Sequence, residues 1–183
     1  MDFRDVQDWA IAPSSSTELN QVMRDLKERV RLMMYGRKPE PIFLRHTAAS
    51  KSMYDSQMAR RYNNNYCQKH FQTIIVNPVY KKKLKNRVVC VIDDYLTNGN
   101  TFETLRNLLV ACEVKKIIFV AIGKFIRGGE NYYSKKIFSI EGDVYTSAGY
   151  TATYQSEEQL SFGVNDAVRR DVAQLRALAS QLK

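Results

Sequence analysis

The sequence predicts an α/β domain built on a doubly wound, mostly parallel sheet of about five strands flanked by helices. Three observations carry that expectation. Short β-branched runs alternate with stretches whose apolar residues recur at helical spacing. The run Val88, Val89, Cys90, Val91, Ile92 has no polar alternation, the pattern of a strand covered on both faces. Two strand ends also pass through short polar residues straight into helices, one at Ser14, Ser15, Ser16 and Thr17, the other between Thr97 and Thr101.

In chain order, residues 6–12 carry Trp9 and Ile11 and predict a first strand closed by Pro13. A helix is expected over about 18–35, with Leu19, Val22, Met23, Leu26, Val30 and Met33 as its apolar stripe and Arg24, Lys27, Glu28 and Arg31 on the wet side. Gly36 stops it, and Pro39 and Pro41 extend the chain into a second strand at 42–44. Residues 47–70 lack steady periodicity and are rich in Ser, Asn, Arg and Tyr, so a long mobile excursion with room for a short helix is expected there. A third strand follows at 71–76, a turn at 78–87, then the apolar strand from 88, ending at Asp93 and Asp94. Phe102, Leu105, Leu108, Leu109 and Cys112 predict a helix, 116–121 a strand, and 137–140 and 144–146 two short strands around Gly142. A last helix over about 165–182 places Val168, Val172, Leu175, Ala179 and Leu182 on one stripe.

The chain of 183 residues fits one domain, 1–183, long enough to bury about 70% of its unfolded surface. Cys67, Cys90 and Cys112 are odd in number and widely spaced, as for reduced core thiols. Cys67 and His70 have ligand-like spacing but no second pair nearby, which argues against zinc. His46 and His70 read as surface or packing residues. The charged N-terminus and the short longest apolar run, 117–122, predict a cytoplasmic protein with no membrane partner. A net charge of +9, from 28 Lys plus Arg against 19 Asp plus Glu, favours anionic partners.

The chemistry concentrates at 88–101. Two adjacent carboxylates at the end of a covered strand repel each other, and one is driven toward neutrality unless donors or a metal compensate. A ribose diol, or Mg²⁺ bridging a ribose and a diphosphate, is such a compensator. Gly99 permits a backbone that a Cβ forbids, and Thr97, Asn98, Asn100 and Thr101 surround it with short polar groups. The helix that follows turns its first amides and positive dipole end to the loop, where a 5′-phosphate fits. The ordinary alternative is a capped strand-to-helix turn.

This segment resembles the phosphoribosyl-diphosphate (PRPP) motif of the type I phosphoribosyltransferases: hydrophobic strand, two acids (Asp93, Asp94), two apolar residues (Tyr95, Leu96), then Thr97-x-Gly99-x-Thr101. Asn98 and Asn100 stand where that family more often has Thr or Ser and a small residue. The resemblance implies a type I phosphoribosyltransferase-like fold with a small hood and a flexible loop. It also implies transfer of phosphoribosyl from PRPP to an amine or nitrogenous base, with release of pyrophosphate. Asp93 and Asp94 would hold the ribose hydroxyls, directly or through Mg²⁺, and Thr97, Asn98, Gly99, Asn100 and Thr101 the 5′-phosphate. Ser14, Ser15, Ser16 and Thr17 occupy the place of the family's pyrophosphate loop, without the basic residue often found in it.

The family's flexible loop falls on the excursion from Arg45 to His70, where Arg45, Lys51, Arg60, Arg61 and Lys69 stand among Tyr54, Tyr62 and Tyr66; Lys51 and Arg61 are the expected catalytic cations. Arg45-His46-Thr47-x-x-Ser50-Lys51 and Arg60-Arg61-Tyr62-Asn63-Asn64 are similar to the competence-associated ComF-like branch. The hood must come from that excursion or from residues 140–183, where Tyr145, Tyr150, Tyr154 and Phe162 either stack on a base or pack, packing being the stronger expectation. Two other readings stay open. Lys81, Lys82, Lys83, Lys85 and Arg87 form a run that tracks nucleic-acid phosphates or merely wets a turn, so a PRPP-sensing or nucleic-acid-binding regulator without turnover is the alternative. The terminal helix would pair two copies into a homodimer through Val168, Val172 and Leu175.

Overall fold

The computed structural model describes residues 3–16, 20–48, 67–124 and 132–161. Within them the elements are strand β1 (Asp8–Ile11), helix α1 (Gln21–Met33), strand β2 (Phe43–Arg45), short helix α2 (Cys67–Phe71), strands β3 (Ile74–Val76) and β4 (Val88–Leu96), helix α3 (Asn100–Ala111), and strands β5 (Lys116–Lys124), β6 (Tyr132–Gly142) and β7 (Tyr150–Ser161).

The uninterrupted apolar run builds the centre of the molecule. β4 lies between β1 and β5, parallel to both, in a three-stranded sheet ordered β1-β4-β5. Val89, Cys90 and Val91 are all 0% exposed because both sheet faces are covered. Trp9, Cys90, Ile92 and Ile118 turn one way and pack with Met23 of α1. Ala10, Val89 and Val91 turn the other way and meet Phe102, Leu105, Leu108 and Leu109 of α3. Each fully buried leucine contributes roughly 1.5–3 kcal/mol, so α3 is anchored along its whole length.

Other strands pair differently from expectation. The chain is α/β, but among the described residues the parallel sheet has three strands rather than about five. β2 and β3 pair antiparallel with each other, Phe43 opposite Val76 and Arg45 opposite Ile74. Pairing direction is a non-local property that short apolar runs do not encode. The third strand is shorter than predicted, because Cys67–Phe71 is helical and Thr73 Oγ1 donates to Lys69 O at 2.8 Å, ending that turn. Residues 144–146 form a turn, with buried Val144 accepting from Val76 N at 2.9 Å, and the real partner of β6 is the twelve-residue β7. That strand is too polar to show an apolar period. Its support is the ladder to β6 and cross-strand pairs such as Lys135 Nζ with Glu158 Oε2 at 3.0 Å.

Helix α1 starts later than expected, capped by the Asn20 side chain, which accepts from Met23 N at 3.2 Å. Its inner face is Met23, Lys27 and Val30, while Val22 and Met33 are 77% exposed. The expected stripe is therefore rotated. Lys27 reaches inward because Pro39 O accepts from its ammonium at 2.9 Å and Glu28 pairs with it. The three cysteines are buried and free. Among the described residues no helix is long and apolar enough to cross a membrane. The predicted helix at 165–182, Phe162 and most of the excursion lie outside the described residues.

Candidate functional site

Beyond Ile92 the sheet opens. β1 stops pairing at Ile11, and Ala12 N donates one last bond to Ile92 O at 2.9 Å, whereas β5 stays paired as far as Lys124 opposite Leu96. The strand thus runs through both acids instead of ending at them. The two carboxylates stay close, near enough for a side-chain hydrogen bond between them. Asp93 shares the α3 side with Val89 and Val91 and lines a crevice with Tyr95, Leu96, Thr97, Gly99, Asn100, Thr101 and Phe102. Asp94 is exposed and is not among the lining residues, nor is Asn98. Each carboxylate accepts from the next amide: Asp93 Oδ1 from Asp94 N at 2.9 Å, Asp94 Oδ1 from Tyr95 N at 2.7 Å. Burial, reinforced by the Asp94 charge, pushes the Asp93 carboxyl up to about 7.

Across the crevice, Gly99 takes φ +74°, and a Cβ there would lie 2.6 Å from the Tyr133 ring. Conformation and space both demand glycine. Its carbonyl accepts from Glu103 N at 2.9 Å, so α3 begins at the turn and its first amides lack intrahelical acceptors. Asp93, the turn and this helix end therefore converge on one crevice, with Tyr95 laid across Gly123 as an apolar wall.

The turn is braced from behind by residues with no obvious sequence signature. Glu103, 1% exposed, accepts from Tyr133 Oη at 2.6 Å, Lys136 N at 2.7 Å and Arg106 Nε at 2.8 Å. Asn107 donates to Lys136 O at 2.9 Å and accepts from Phe138 N at 3.0 Å. These bonds lock α3 to β6. They also bring Lys136 Nζ to Asn100 Oδ1, 2.6 Å away on the crevice lining, while β5 sets Lys124 level with Leu96. Only an acid, an amide and an arginine on one predicted helix hinted at this.

Ser14, Ser15 and Ser16 follow β1 but do not cap α1, a role that Asn20 fills. Ser14 Oγ instead bonds Ser16 O at 3.1 Å, and Ser14 O accepts from Arg45 Nε. Arg45 also donates to Thr73 Oγ1 and, at 3.3 Å, to His70 Nδ1. This residue is 9% exposed with no carboxylate partner among the described residues, and burial lowers its guanidinium to about 10. The serine loop itself lacks a basic residue, and tertiary structure delivers one from the end of β2. His70 is 3% exposed and depressed to about 3 by burial, with Arg45 and Lys69 adding repulsion. With Nδ1 accepting from Arg45, the proton sits on Nε2, which has no partner. His46 is exposed, with Nδ1 3.0 Å from Thr47 Oγ1.

Lys51, Arg61 and Thr17 lie outside the described residues. Tyr150 packs, donating to Phe71 O at 2.6 Å, as does Tyr145, donating to Cys112 Sγ at 3.3 Å; Tyr154 is 46% exposed and edges onto Phe138. Among the described residues no three His, Cys, Asp or Glu side chains could hold a metal, so an ion here would rest on Asp93 together with ligand and water oxygens. Compared with known proteins, the chain matches no family model, no curated protein and no solved structure.

Proposed function

We propose that the crevice at the end of β4 binds PRPP with Mg²⁺, and that the protein transfers the phosphoribosyl group to an amine or nitrogenous base with release of pyrophosphate. The observation that supports this most is the convergence of Asp93 with the 97–101 turn on one crevice. On this reading the three-stranded sheet is the core of a type I phosphoribosyltransferase-like domain, and the β6–β7 hairpin, with Tyr133 and Lys136 at the loop, serves as hood.

Asp93 accepts from the ribose hydroxyls and, once ionised, offsets positive charge developing at C1. Thr97, Gly99, Asn100 and Thr101 hold the 5′-phosphate with hydroxyls and helix-end amides, and Lys136 adds a cation at Asn100. The Ser14 to Ser16 segment takes the departing pyrophosphate beside the Arg45 guanidinium, which donates to Ser14 O. Asp93, with ligand and water oxygens, would hold a Mg²⁺ carried by the diphosphate, which would neutralise phosphate charge there. Asp94, beside Asp93 but outside the crevice lining, acts through its charge or through water.

Titration of PRPP with and without Mg²⁺ tests the pocket, and pyrophosphate release across a panel of bases tests turnover. Tight binding without release favours the sensing alternative. No binding, with Asp93→Ala and Asp94→Ala leaving every activity intact, overturns both.

A further inference from the structure

We propose that the opposite end of the sheet, where β4 and β5 begin, is a docking edge for single-stranded nucleic acid, independent of the crevice. The run from 81 to 87 is only part of it. Three segments distant in sequence converge there, held by backbone bonds. Lys115 N and Lys116 N donate to Arg87 O at 2.9 and 3.2 Å, and Asn86 N donates to Glu113 O at 2.8 Å. From the other side, Arg37 donates from its guanidinium to Lys83 O at 3.4 Å and from its backbone to Gln7 O at 3.1 Å.

The acids present are mostly spent. Glu113 pairs with Lys85 at 2.7 Å, Asp143 with Lys81 at 2.9 Å, and buried Asp8 lies 3.6 Å from Arg37, leaving Glu40 exposed. Lys82, Lys83, Arg87, Lys115 and Lys116 form no ion pair among the described residues, and all but Arg87 are exposed. A turn that merely needs wetting has no reason to gather cations from three segments on one edge. Repeated phosphates along one strand are what such a row matches.

Tyr35 gives the preference for single strands. It precedes Gly36 and Arg37 at the end of α1, is 94% exposed, and takes φ 54°, a left-handed conformation unfavourable for a bulky residue. An exposed ring two residues before Arg37, whose guanidinium reaches Lys83 O, is one on which an unpaired base can stack. Leu32, Met33 and Val79 are also exposed, but a membrane surface fits less well, because Lys82, Lys83, Arg87, Lys115 and Lys116 lie on turns and a strand start and not along one face of an amphipathic helix.

Fluorescence anisotropy of a labelled mixed-sequence DNA single strand, titrated with the full chain over a range of salt, tests the proposal. The quadruple variant Lys82→Ala, Lys83→Ala, Lys115→Ala, Lys116→Ala should lower the log–log salt slope by about 3, from about 0.7 per phosphate contact. Tyr35→Ala should weaken single-strand binding about tenfold and duplex binding little. Both variants should retain wild-type melting temperature and PRPP affinity, so failure at this edge is distinguishable from failure at the crevice. The proposal is overturned by absence of a salt-sensitive shift, by a folded quadruple variant that binds as tightly as wild type, by equal duplex binding with Tyr35→Ala silent, or by capture on phosphatidylserine vesicles in preference to DNA.

Discussion

At Val88, β4 enters the sheet beside Arg87, Lys115 and Lys116; at Leu96 it leaves beside Asp93 and the left-handed Gly99. About 26 Å separates these ends, from the steps of about 3.3 Å between successive residues of a nine-residue strand. The strand between them is buried and apolar, so neither end is needed to make it a strand. What differs is how tightly each is held. Behind the crevice, Glu103, Asn107, Tyr133 and Lys136 interlock so that a glycine turn keeps one shape. At the basic edge the backbone is hydrogen-bonded, but Lys82, Lys83, Lys115 and Lys116 are exposed and form no ion pair among the described residues. Binding one sugar phosphate requires donors placed within a fraction of an ångström, whereas a phosphate chain is attracted over about a Debye length of roughly 8–10 Å and tolerates disorder in the cation.

Removing the brace should have the largest effect. Glu103→Leu strands the Tyr133 hydroxyl, the Lys136 amide and Arg106 without their acceptor, at a cost of about 3 kcal/mol or more, read as a lowered urea midpoint. The same lesion at the other end, Lys82→Ala, should change stability by less than about 0.5 kcal/mol. Equal losses would erase the contrast.

Next, Asp93→Asn should weaken Mg-PRPP binding by one to two decades, because a charge-assisted hydrogen bond is worth about 1.5–3 kcal/mol, and should leave DNA binding unchanged. Calorimetric titration of both ligands reads this directly. Arg45→Gln should lower affinity for Mg-pyrophosphate by about tenfold; an unchanged constant would detach the serine loop from the site.

The pH dependence is smaller and sharper. His70 has a folded pKa near 3, below its ordinary value of about 6.5, so the unfolded chain binds the extra proton between those limits. The stability of the neutral ring is complete above about pH 6.5 and is lost as pH falls toward 3, by at most about 1.4 kcal/mol per unit. Melting curves of wild type and His70→Asn should converge as pH is lowered over that window. Parallel curves would mean that His70 is not buried as a neutral acceptor of Arg45.

Much of the fold's centre was legible because its signals are local. Apolar continuity from Val88 to Ile92 marks a doubly covered strand, and the order of acids, threonines and glycine marks the turn after it. Lost to sequence were features that depend on what lies opposite. The polar stretch that becomes β7 is a strand because β6 offers it a ladder, and the face of α1 that turns inward is set by Pro39, Glu28 and the sheet.

By itself, then, the chain determined a buried strand, the carboxylates at its far end and a glycine that only a left-handed turn requires, since each follows from the residues themselves. Tertiary structure alone decided that Asp93 lines the crevice and Asp94 does not, that Arg45 comes to Ser14, and that Lys115 and Lys116 join the lysine run. Those are distances between segments remote along the chain, and the free energy that sets them comes from burying the residues in between.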